Sequence, residues 1–192
     1  MDTSKVYDYD PRKLPQELLA AIGLAIASAG QTESVVADAI GAFAGSDIFC
    51  SLAITTHMAP KLKLDALGSL LEVQISDPEI LADFDDHLAH IDTLFGMRNA
   101  LAHDRWCRDP DTGEIYRIAL SARGQINIRP VPTTVQDIRA HAAAMYQAGM
   151  HLQEMLVLAG FEPKFPADIR PPAHQTRDAR RAFRKARLKA SK

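Results

Sequence analysis

Apolar residues along the first hundred positions recur every three or four residues, the spacing of a helix with one buried face. Over 14–29 a proline near the start precedes Leu18, Leu19, Ile22, Ala25 and Ile26, which predicts a first helix ending at Gly30. Thr32 can then cap a second helix that buries Val36, Ala39, Ile40, Phe43 and Ala44. Gly41 and Gly45 lie one turn apart there, a spacing that points to close approach of a neighbouring helix. Helical spacing continues through 48–75, with Pro60 either kinking that stretch or opening a new segment.

The next helix has a well-defined beginning. Asp77 can cap it, Pro78 suits the first position, and Glu79 sits near the positive helix terminus. The helix is expected to reach about 102. Its stripe Leu81, Phe84, Leu88, Ile91 and Phe95 extends to Arg98 and then Ala102, so an arginine stands on a line otherwise given to apolar contact.

After the turn-rich sequence 109–113 the period changes to two. Tyr116, Ile118 and Leu120, then Ile126 and Ile128, flank Arg123-Gly124 and predict a short hairpin. Thr134 and Asp137 have the spacing of a capping box for a last helix carrying Val135, Ile138, Ala142, Met145, Leu152, Met155 and Ala159, stopped by Gly160. The fold class is therefore mainly α: an up-and-down helical bundle with a small hairpin before its last long helix.

Composition adds a division of charge. The 192 residues carry a formal net charge of −2, but residues 164–192 hold ten Lys or Arg against two Asp or Glu. The remaining 1–163 carries 12 basic and 22 acidic residues, a charge of −10. We expect a helical domain over 1–163 and a basic, flexible tail over 164–192. The tail can attract RNA nonspecifically through counterion release, or fold onto the acidic body of a partner subunit.

Two cysteines, Cys50 and Cys107, make no disulfide framework and suit a reducing cytoplasm. The run 18–30 contains Ala27-Ser28-Ala29, which resembles a leader-cleavage site. Its flank carries Asp2, Asp8, Asp10 and Glu17, where a secretory leader wants positive charge, and the run is short of a membrane span. A cytoplasmic protein without a membrane association is expected.

The chemistry concentrates at the end of the fourth predicted helical stretch. There the chain reads Met97-Arg98-Asn99-Ala100-Leu101-Ala102-His103-Asp104-Arg105-Trp106. Histidine exchanges protons near neutral pH, and arginine offers planar paired donors to a phosphate. Five residues of ideal helix turn about 500°, so Arg98 and His103 stand roughly 140° apart around the axis and flank a groove. Asn99 and His103 are one turn apart and can touch, which would fix the imidazole's orientation. Against this, Arg98 can serve a structural ion pair with Asp92 or Asp104, and His103 can simply end the helix, where a cation suits the dipole.

This Arg-Asn-x-Leu-Ala-His string closing a helix resembles the HEPN superfamily, whose ribonuclease members carry an Arg-x4-6-His motif in that location. The resemblance implies a metal-independent endoribonuclease without a cofactor, with its site built at a homodimer interface. By it, Arg98 binds and polarises the scissile phosphate, His103 transfers protons and Asn99 supports them. The implied products are a 2′,3′-cyclic phosphate or 3′-phosphate and a 5′-hydroxyl. Family habit points to a toxin or an anti-phage effector acting on RNA, with an antitoxin or regulatory protein as a further partner. HEPN domains also include non-catalytic interaction and RNA-binding modules, which is the alternative. In one departure, HEPN toxins often have a tyrosine two residues past the histidine, where this chain has Arg105.

Other groupings carry less. Asp83, Asp86, His87 and His90 have helical spacing that can place metal ligands together, as Asp83 with His87 or Asp86 with His90, yet such a set is ordinarily a solvated face. Trp106 can stack on a base or pack the helix exit, and Cys107 has no evident activating base.

Overall fold

The computed structural model describes residues 7–121 and 127–161, together with Arg181 and Lys189. After a 3-10 turn at Pro11–Lys13 come α1 (Gln16–Phe43), α2 (Ile48–Thr55), α3 (Pro60–Gln74) and α4 (Pro78–His103). Three strands, β1 (Arg105–Arg108), β2 (Ile115–Ser121) and β3 (Asn127–Pro132), then lead into α5 (Val135–Leu158). The chain is mainly helical, with a small antiparallel sheet before the last long helix. The expected tail, 164–192, lies outside the described residues apart from Arg181 and Lys189.

The two helices expected over 14–44 are one. Thr32, read as a cap, is fully buried inside α1. Its hydroxyl lies 3.2 Å from the Ser28 carbonyl and 2.8 Å from the Met145 carbonyl of α5, so it satisfies itself without interrupting the helix. Gly30 is likewise helical and exposed. Gly41 does mark a close approach, because a Cβ there would meet the Ser51 Cβ of α2 at 2.6 Å. Gly45 instead takes φ +65° in the turn that follows α1. Pro60 opens α3 rather than kinking a longer helix.

α1 packs on all four other helices, and α4 runs against both α3 and α5. One core joins Val36, Phe43, Leu67, Leu71, Phe84, Ile91, Met145 and Leu152. A second joins Leu14, Leu18, Ala21 and Ala25 of the chain's start to Leu101 of α4 and Ile138 and Ala142 of α5, with Trp106 and Ile115 of the sheet packed against it. The apolar run 18–30 is thus the first half of α1. Among the described residues α1 is the one helix long and apolar enough to cross a membrane, and Ala25 and Ala29 within it are buried in the bundle.

The expected hairpin is a three-stranded meander in the order β1-β2-β3. β1 was not foreseen, since its four residues Arg105–Arg108 alternate too briefly to show a period. Its pairing with β2 sets Trp106 opposite Arg117 and Cys107 opposite Tyr116. Asp8 pairs with Arg108 on the other side, through an N–H to carbonyl bond in each direction. Ile118 is buried, but Leu120 and Ile128 are exposed, because beyond Ile118 β2 has only β3 beside it. The tip of the predicted hairpin, including Arg123, Gly124 and Ile126, lies outside the described residues.

Candidate functional site at the end of α4

The phase of α4 is fixed at its two ends. Asp77 Oδ1 accepts from the N–H groups of Glu79 (2.9 Å) and Ile80 (3.4 Å), satisfying donors that have no helical partner. Phe84, Leu88, Ile91 and Phe95 are buried, which sets the rotation of the helix about its axis. The stripe then passes through half-buried Arg98 to Leu101, at 2% exposure, and not to Ala102, which faces outward.

That phase leaves Asn99 and His103 exposed and Arg98 partly covered. Arg98 Nη1 donates to Asn99 Oδ1 at 3.0 Å. Asn99 therefore steadies the arginine rather than the imidazole, and His103 makes no hydrogen bond among the described residues. The two acids that would have given Arg98 a structural ion pair are engaged elsewhere. Asp92 is 3.1 Å from Lys61 of α3, and Asp104 is 2.5 Å from Arg117 of β2. Arg98 has no carboxylate partner among the described residues, and its Nε is buried without a hydrogen-bond acceptor. A buried N–H left in that state costs about 1–3 kcal/mol.

His103 is the last residue of α4, and Asp104 turns the chain into extended structure with φ −69° and ψ 153°. The Asp104 N–H still donates to Ala100 O at 3.0 Å, while its carboxylate reaches across to Arg117. Trp106 folds back over the helix end, its indole N–H donating to Leu101 O at 3.2 Å. The tryptophan thus packs the helix exit. Cys107 is fully buried, and burial, with Asp109 adding, pushes its thiol pKa up, away from the reactive thiolate.

The Asp and His positions earlier on α4 do not converge. Asp83, Asp86 and His90 are exposed, whereas His87 is half-buried and its Nε2–H donates to Ala148 O of α5 at 2.8 Å. The His87 ring meets His151 edge-on at 4.6 Å. Burial, above all, lowers the His87 pKa, with the neighbouring imidazoles of His151 and His90 acting in the same direction. No group of three metal-ligating side chains gathers among the described residues.

Sequence reasoning passed over Arg117 and His141. Arg117 is 8% exposed, paired to Asp104, and leaves its Nε without a partner among the described residues. His141 of α5 likewise buries an unpartnered Nε2. A strand arginine and a helix histidine carry no mark of this in sequence, since it follows from the β1–β2 register and from the seat of α5 against α4. A search among protein families, curated proteins and solved structures finds nothing that this chain matches.

Proposed function

We propose that this chain is a metal-independent endoribonuclease of HEPN type, acting as a homodimer in which two copies of Arg98 and His103 meet on one RNA phosphate. The observation that carries the reading is the unpaired state of Arg98: the acids able to neutralise it, Asp92 and Asp104, are held by Lys61 and Arg117. A guanidinium on the apolar line of a helix, with no carboxylate and one orphaned N–H, is poised for an anion that the chain itself does not supply.

In this reading His103 takes the proton from a ribose 2′-hydroxyl as the O2′–P bond forms. The P–O5′ bond breaks, and the histidine of the second copy protonates the departing oxygen, leaving a cyclic phosphate and a 5′-hydroxyl. Arg98 holds the phosphate oxygens while charge builds on them, and Asn99 sets the guanidinium plane. A single copy provides one proton carrier, and a second copy about a two-fold axis provides the other.

One observation favours the non-catalytic alternative, a HEPN-type interaction module. The body, 1–163, carries a charge of −10, which opposes broad affinity for RNA.

The test is cleavage of total cellular RNA in EDTA by the wild type beside Arg98→Ala and His103→Ala, with folding and mass in solution measured for all three. Cleavage by the wild type alone supports the nuclease. Equal inertness of three folded proteins turns the assignment to the interaction module.

A further inference from the structure

A groove of about 660 Å³ runs between α3 and α4. Gly68 and Ala89 line it and are too small to fill it; a Cβ added to Gly68 would have only Leu88 Cδ1 near it, at 4.0 Å. The walls are acidic. Asp65 of α3 and Asp92 of α4 stand opposite each other, since Lys61 reaches both at 3.1 Å. Seven residues on in α3 and seven back in α4, about 10.5 Å further along, come Glu72 and Asp85. Both are exposed, and neither meets a cation among the described residues. The groove thus has two levels of carboxylates, and Lys61 shows that an ammonium fits between the walls.

The basic tail begins at one end of this groove. Phe161 stacks on Phe43 with ring centroids 4.0 Å apart, and Phe43 O accepts from the side chain of Gln74, two residues past Glu72, at 3.4 Å. The chain therefore leaves the body at the Glu72 end of α3. From there residues 162–176 span up to about 50 Å when extended. The groove is about 16 Å long from Lys61 to Glu72, so the run 177–192 reaches all of it. That run carries eight Lys or Arg and one acid, against a body charge of −10. Its two described residues, Arg181 and Lys189, are helical and exposed. A helix that turns these two outward carries Arg180, Phe183 and Arg187 on its opposite side. The seven-residue step from Arg180 to Arg187 repeats the steps from Asp65 to Glu72 and from Asp85 to Asp92.

We propose that the α3–α4 groove is the docking site of this chain's own basic run 177–192, with Arg180 and Arg187 at the two carboxylate levels and Phe183 over Gly68 and Ala89. Ion pairs this exposed are individually weak and are screened by salt. Tethering supplies the affinity, because a short linker holds the run at an effective concentration on the order of millimolar. The same weakness makes the docking reversible. Nucleic-acid phosphates and the groove compete for one set of cations, so the groove withholds the tail until a polyanion displaces it. The proposal stands apart from the nuclease reading, since it concerns where the tail binds and not what Arg98 and His103 do.

The experiment is carbodiimide cross-linking of the full chain carrying Arg180→Lys and Arg187→Lys, which put reactive ammonium groups at the docking positions. An equal mixture of nitrogen-14 and nitrogen-15 protein is treated, digested and read by mass spectrometry. Amide bonds from positions 180 and 187 to Glu72 and Asp85 are expected within one isotope, at least fivefold above those to Asp83 and Asp86 elsewhere on α4, and lost in about 1 M salt. Bonds spread evenly over surface acids, bonds joining the two isotopes, or no bonds overturn the proposal; the second result hands the groove to the tail of another copy. Glu72→Gln with Asp85→Asn, in the otherwise native chain, frees the tail. It is expected to raise affinity for a single-stranded oligothymidylate, which has no 2′-hydroxyl to react, at least threefold above the same charge change at Asp83→Asn with Asp86→Asn. Equal affinities in the two variants overturn the withholding of the tail.

Discussion

Gly149 of α5 lies so close to Thr32 of α1 that a Cβ on the glycine would sit 2.7 Å from the threonine hydroxyl and 3.1 Å from its Cα. The second of these contacts is with backbone, which cannot rotate away. Gly149→Ala therefore prises α1 from α5, and the expected cost is about 1–3 kcal/mol despite a gain in helix propensity of about 1. Gly30, at an exposed point of α1, has nothing within 4 Å of an added Cβ. Gly30→Ala is expected to stabilise by about 0.5–1 kcal/mol. Urea unfolding midpoints of the two variants should move in opposite directions, and a shared direction would refute the account of the α1–α5 crossing.

Lys63 is 7% exposed and its ammonium is 2.6 Å from Glu33, tying α3 to α1. Removing the carboxylate strands a buried cation, and Glu33→Ala is expected to cost about 3 kcal/mol. Adding Lys63→Met should return most of that loss. A double variant as unstable as Glu33→Ala would show that the lysine reaches water unaided.

His87 and His141 both have pKa values lowered below the ordinary 6.5 by burial. The unfolded chain then binds more protons than the folded one in the window below pH 6.5, so stability is full above that value and declines as pH falls through the folded pKa values. His87→Gln keeps a donor for Ala148 O but cannot titrate. Unfolding midpoints between pH 7.5 and 5 should fall less in His87→Gln than in the wild type; parallel profiles would sink the assignment.

Arg98 has no ion pair to lose among the described residues and buries an unsatisfied N–H. Arg98→Met is expected to leave the unfolding midpoint unchanged or raised while abolishing RNA cleavage. Arg98→Lys keeps the charge without the planar fork, and cleavage is expected to fall at least tenfold. A strongly destabilised Arg98→Met would mark a structural arginine instead.

Much of the helical frame was legible because its signals are local. Asp77-Pro78-Glu79 and Thr134 with Asp137 announce helix starts through contacts within three residues, and both caps form. Gly30 and Thr32 misled for a tertiary reason: the carbonyl that engages the Thr32 hydroxyl belongs to Met145, 113 residues away. The positions of Arg98, Asn99 and His103 followed from helix phase, but their partners did not. Whether Asp104 serves Arg98 or Arg117 is decided by where β2 lies, and no spacing within 98–106 encodes that.

The two outer strands of the small sheet are poor templates for further pairing. β1 is only four residues long, and at Arg108 its free side is already taken by Asp8. β3 carries Pro130 and Pro132 at alternate positions, removing amide donors from its open side. Chain-to-chain strand addition is thereby disfavoured at both margins. Trimming the first ten residues would uncover the free side of Arg108 and leave the shortness of β1 to guard that margin, close to the histidine that the helix end presents.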